Sequence, residues 1–130
     1  MRSDARQSPW RRWVLVAAYA AAIYVQSALP SVVDTSGRTG LDKMAHMAMY
    51  ALMAVLLCRA LTASPMARRS PLQIAVVAVL FSTLYGIGDE LHQSLVPARC
   101  ADIADVVSDF VGSAAGAAFW AVRQRRRSRI

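Results

Sequence analysis

Leu72 to Gln93 reads LQIAVVAVLFSTLYGIGDELHQ, an apolar run, read as a span from Leu72 to about Leu91, that breaks within its last turns into Asp89, Glu90, His92 and Gln93. Three other stretches have the same apolar character: Trp13 to Leu29, Met44 to Leu61, and about Ile103 to Val122. Their uninterrupted apolar parts are about 17 or 18 residues long, at the short end of what a helix needs to cross a bilayer core. Each is joined to the next by a short polar connection, Pro30 to Asp42, Thr62 to Pro71 and Ser94 to Asp102. The expected fold is therefore all-α, a polytopic membrane protein built as an up-down-up-down bundle of four transmembrane helices.

Charge follows the same division. Seven of the eight carboxylates (Asp34, Asp42, Asp89, Glu90, Asp102, Asp105 and Asp109) fall in the first and third connections and the helix ends beside them. Twelve of the fifteen Lys/Arg residues fall elsewhere: Arg2, Arg6, Arg11 and Arg12 before the first span, Arg59, Arg68 and Arg69 around the middle connection, and Arg123, Arg125, Arg126, Arg127 and Arg129 at the end. Only Arg38, Lys43 and Arg99 accompany the acids. By the positive-inside rule both termini are cytoplasmic and the acidic connections face outward, which places the chain in the cytoplasmic (inner) membrane. Trp10, Trp13 and Trp120 fall near the expected cytoplasmic boundary, where indoles settle at headgroup level.

A formal charge of +7 on a chain that is 56% apolar does not suit a disordered tail or an ordinary soluble domain. The 130 residues divide into a basic tail (1–12), a membrane domain (13–122) and a second basic tail (123–130). The basic start followed by an apolar run resembles a secretory signal, but its length and the next span behind it favour a retained helix. Arg123 to Arg129 lacks interleaved aromatics, so it reads as a contact for anionic lipid headgroups, with no nucleic acid as partner. Cys58 and Cys100 form neither a CxxC pair nor a disulfide framework. Gly112 and Gly116 form a GxxxG pattern among alanines, suited to close packing within the bundle or to a homodimer.

Several polar side chains lie where a membrane makes them costly. Asp42, His46 and Tyr50 recur every four residues and share a helix face. For Asp42 alone, helix capping accounts for the residue as well as function does. Asp89 and Gln93 are four apart and Glu90 and Gln93 three apart, so at least one acid shares a face with the amide. Asp102, Asp105 and Asp109 line one face that continues into Gly112 and Gly116. Lys43 and Arg99 stand ready to balance part of this negative charge. Asp42, Lys43, His46, Tyr50, Asp89, Glu90, His92, Gln93, Arg99, Asp105 and Asp109 are thus expected to form one ligand-binding site at the outward end.

The blocks Gln26 to Pro30, Leu41 to Tyr50, Tyr85 to Gln93, Pro97 to Arg99, and Asp105 to Gly112 with Gly116 together resemble the VanZ-like family of small bacterial membrane proteins. The DK..H...Y and DE.HQ...P.R patterns carry most of that resemblance, which extends over residues 26–116. The family commonly has Gly where Ala98 stands and Asn where Asp109 stands; the second change makes a deep polar position ionisable. The resemblance implies an integral cell-envelope protein, and the family's namesake is linked to low-level resistance to the glycopeptide teicoplanin.

Three functions fit these residues. The first is binding of a membrane lipid or lipid-linked envelope precursor, with Lys43 and Arg99 on phosphate and Glu90, Gln93 and Asp105 orienting them or meeting sugar hydroxyls. The second is a hydrolase or transferase acting on a lipid-linked substrate, with His46 or Glu90 as catalytic base. The third is a purely structural polar network. No cofactor is expected. No metal motif such as HExxH is present, and His46, Glu90, His92 and Asp105 are the set that would hold a divalent ion if one were used.

Overall fold

The computed structural model describes residues 8–29, 40–97 and 99–129. Arg2, Arg6, Asp34, Arg38 and Ala98, used in the sequence reading, lie outside these residues. The described chain holds four long helices, α1 (Pro9–Ala28), α2 (Gly40–Leu61), α3 (Pro71–Gln93) and α4 (Ile103–Arg127), with a short 3-10 turn at Pro65–Arg68 and no strand.

Local chemistry sets the helix starts. Ser70 and Gln73 exchange side-chain and backbone hydrogen bonds as a capping box, with Pro71 at the first helical position, where its missing N–H costs nothing. α1 likewise has a proline, Pro9, at its first position after Ser8, though the Ser8 side chain makes no capping hydrogen bond. Asp102 caps α4 by accepting from the Ala104 N–H at 2.9 Å. At the opposite end, Arg12 reaches across from α1 and donates to the Arg59 carbonyl (3.0 Å) and to Thr62 Oγ1 (3.2 Å), satisfying the frayed end of α2. α1 starts inside the stretch read as a basic tail, and α4 runs beyond Val122 to Arg127.

Cross-contacts fix the directions. Arg12 meets the end of α2, Ser27 meets Asp89 near the end of α3, Lys43 meets Asp102 at the start of α4, and Ser82 meets Ser113. α1 and α3 therefore run one way and α2 and α4 the other. α4 packs most extensively on α2 and then on α3, while α1 lies against α2 and α3. The α2–α4 seam is close because Gly112 and Gly116 face the backbones of Met47 and Ala51; a β-carbon at either glycine would collide with those carbonyls. The face that the sequence offered to a neighbouring helix or a second copy is taken by α2.

The apolar core, with Ile23, Met53, Leu57, Ile74 and Trp120 among its members, fills the middle and the basic end. Trp120 is buried within it, whereas Trp10 and Trp13 are exposed. Outside, large apolar side chains face away from the protein: Val14 and Leu15 on α1, Leu80, Phe81 and Leu84 on α3, Phe110, Val111 and Phe119 on α4. Inside are Asp89, Glu90, Gln93, Asp105 and Asp109. A water-soluble protein rarely exposes so continuous an apolar surface. By length and composition, two helices are able to cross a membrane, α2 and α3. α1 opens on paired arginines and α4 carries acids in its first half and arginines in its last turns, which dilutes the apolar character read for all four spans.

Candidate functional site

The α2–α4 seam converts sequence spacing into pairing. Both helices start at the same end, so Lys43 and His46 on α2 rise in step with Asp102, Asp105 and Asp109 on α4. Lys43 Nζ donates to Asp102 Oδ2 at 2.7 Å and also contacts Asp105 Oδ1. One turn deeper, His46 Nδ1 lies 2.9 Å from Asp109 Oδ1, while its Nε2 is 3.9 Å from Asp105 Oδ2. Asp102 thus serves twice, one oxygen capping α4 and the other holding Lys43.

α3 closes the far side. Glu90 Oε2 accepts from the Asp102 N–H at 2.9 Å, and its carboxylate lies within electrostatic reach of Asp105, His46 and Asp109. Gly86, one turn earlier, makes room for the α2 and α4 side chains: a β-carbon there would sit 2.7 Å from Asp109 Oδ2 and 3.2 Å from the Tyr50 ring. Three oxygens in this region have no hydrogen-bond partner among the described residues, Tyr50 Oη, Glu90 Oε1 and Asp109 Oδ2. Their residues are 0%, 3% and 1% exposed, so water outside the protein does not readily satisfy them.

Asp89 faces elsewhere. Consecutive helical residues point about 100° apart, and so Asp89 turns to α1 while Glu90 turns to α4. Ser27 Oγ donates to Asp89 Oδ1 at 2.5 Å, and Gln93 Nε2 donates to Ser27 Oγ (3.2 Å) and Asp89 Oδ2 (3.3 Å). The i, i+4 pair is the one that forms, with Asp89 and not Glu90 sharing a face with the amide. His92 stacks on Tyr24 of α1, ring centroids 4.4 Å apart.

The sequence-derived residues therefore separate into two groups joined through α3. Lys43, His46, Tyr50, Glu90, Asp105 and Asp109 converge between α2, α3 and α4, with the exposed Asp42 beside them; Asp89, Gln93 and His92 belong to the α1–α3 contact. Arg99 lies in the connection before α4, half-buried, with no ion pair among the described residues. Sequence reasoning missed Ser27, Tyr24 and Gly86. The signal for Ser27 was its place beside Gln26 at the close of an apolar run, and Gly86 preceded the acids by one turn.

His46 sits between two carboxylates, hydrogen-bonded through Nδ1 to Asp109 and with Nε2 3.9 Å from Asp105, a setting in which an imidazole can hold a proton. Asp42, His46 and Asp105 also offer ligand atoms within 4.8 Å of one another. Three such atoms suit a divalent cation, and of the set read from sequence His46 and Asp105 belong to this group while Glu90 and His92 do not, Asp42 being the third member.

The VanZ/LLP1 family model matches residues 3–124, the stretch that contains DK..H...Y, DE.HQ and the acids of α4. The chain belongs to the VanZ-like family. With two helices able to cross a bilayer, it is a VanZ-like membrane protein. No curated protein and no solved structure matches it.

Proposed function

We propose that this VanZ-like chain is a four-helix transmembrane bundle of the bacterial cytoplasmic membrane, with both termini cytoplasmic, that binds a lipid headgroup or a lipid-linked envelope ligand at its outward polar end. The observation that supports this most is the set of buried, unpartnered oxygens on three helices, Tyr50 Oη, Glu90 Oε1 and Asp109 Oδ2, beside the Lys43–Asp105–His46–Asp109 chain. Groups this buried are normally satisfied, and a ligand rich in hydroxyl or amine donors would satisfy them. Lys43 is already neutralised by Asp102 and Asp105, so among the described residues Arg99 is the cation left for a phosphate. Altered teicoplanin susceptibility is the cellular readout this reading expects.

Binding is tested by mass measurement of the protein in mild detergent with polyprenyl phosphate and with phospholipids. Retention of the polyprenyl lipid, lost in Arg99→Ala and Glu90→Gln, supports the reading; equal retention by both variants counts against it. Orientation is tested separately. Cys100 is exposed at the polar end and Cys58 is buried, so a membrane-impermeant maleimide should label intact cells at Cys100 alone. No labelling until the membrane is opened would reverse the topology.

A second reading, a hydrolase or transferase on a lipid-linked substrate, is favoured by one observation: Asp109 holds His46 through Nδ1 and leaves Nε2 facing Asp105. This is how a base is oriented by a carboxylate. Product formation from polyprenyl-linked substrate, abolished in a folded His46→Gln variant, would establish it over simple binding.

A further inference from the structure

At the end of the molecule opposite the acids, the last turns of α2 and α4 border an open groove of about 340 Å³, a volume in the range of small-molecule sites. Its chemistry is sharply divided. Arg59 of α2 and Arg123 and Arg127 of α4 supply three guanidinium groups, the latter two one helical turn apart on the same face. Val55 and Phe119 supply an apolar wall. Trp120, 6% exposed, lines the same space and has an indole N–H without a hydrogen-bond partner. Gln124 adds an amide.

None of the three arginines makes a salt bridge with a described residue, and every carboxylate of the described chain lies toward the acidic end or beside it. Like charges gathered around one space repel unless an anion sits among them, and a tryptophan N–H buried this far normally has an acceptor. Phe119 is largely exposed on the lipid-facing side of α4, so the apolar wall continues outward along the surface that contacts acyl chains.

We propose that this groove is a binding site for an anionic phospholipid of the adjoining leaflet. Arg59, Arg123 and Arg127 hold the phosphate, the Trp120 N–H donates to one of its oxygens, and an acyl chain lies along Phe119. The site is separate from the polar end, and differs from a generally basic tail because it draws on α2 and on only two of the terminal arginines.

The test uses the full chain with Trp10→Phe and Trp13→Phe, which leaves Trp120 as the only one of its three indoles. It is reconstituted in phosphatidylcholine vesicles containing bromine-labelled phosphatidylglycerol or bromine-labelled phosphatidylcholine. Phosphatidylglycerol should quench Trp120 at a several-fold lower mole fraction. Arg123→Gln with Arg127→Gln should reduce that preference on the order of tenfold, whereas Arg125→Gln with Arg126→Gln, the same charge change off the groove, should retain it. Equal losses in both pairs would mean general surface attraction and would overturn the proposal. So would equal quenching by the two lipids, or displacement of phosphatidylglycerol by inorganic phosphate, which would make the ligand a soluble anion. Lipid retention at the polar end is a separate measurement, so either site can fail alone.

Discussion

The two ends of this protein handle charge in opposite ways. At the acidic end the ionisable groups are drawn inward and answered by neighbours: Lys43 by Asp102 and Asp105, His46 by Asp109, Asp89 by Ser27 and Gln93. At the basic end Arg59, Arg123 and Arg127 stay at the surface with no carboxylate of the described residues in contact. Buried charges are tolerated only when paired and hydrogen-bonded, whereas surface arginines can remain solvated or take an anion from outside. Substitutions at the acidic end should therefore show in stability and in ligand binding together, and those at the basic end in lipid preference and orientation alone.

The most severe break is expected away from any charge. Gly112→Leu or Gly116→Leu would drive a side chain into the α2 backbone and part the seam that brings the acidic groups together, at about 3 kcal/mol or more. Gly88→Ala, with open space at its β-carbon, is the control in detergent unfolding. Next comes Asp89→Ala, which leaves the Ser27 hydroxyl without its acceptor and Gln93 without one of its two, and should cost about 2–3 kcal/mol. It should loosen α1 from α3, read as faster proteolysis within α1. Lys43→Met removes the counter-charge of the partly exposed Asp102 and the buried Asp105, and about 1–2 kcal/mol is expected, between exposed and buried pairs; a double-mutant cycle with Asp105→Asn measures it. Asp109→Asn keeps an acceptor for His46 and should change unfolding by less than about 1 kcal/mol. A larger loss would show that the charge on Asp109, and not only its hydrogen bond, holds the histidine. Smallest of all, Arg125→Gln should leave unfolding unchanged, because that side chain is exposed and makes no hydrogen bond or ion pair with a described residue.

The helices were legible because both of their signals are local: apolar runs bounded by Pro, Ser and Gly. The shared face of Asp102, Asp105 and Asp109 was legible for the same reason, since helical geometry alone sets it. What could not be read was which neighbour each face meets. Asp89 and Glu90 stand side by side in sequence, and nothing local says that one turns to α1 and the other to α4. His92 was grouped with the acids because it is near them in the chain, yet its ring lies against Tyr24. Trp120 was placed at the lipid boundary with Trp10 and Trp13 by its position in the span, but the α4 face it shares with Ala117 and Ala121 turns it inward. Spacing determines faces; only the packing of distant segments decides what they meet.

Gly112 and Gly116 carry one last consequence. Because two backbones touch at Met47 and Ala51, α4 has a single axial setting on α2, like a key cut to one depth. Lys43 and His46 then find their acids without a search among alternative offsets. A one-residue insertion between Asp109 and Gly112 would keep every charged group in the chain and still misalign them all.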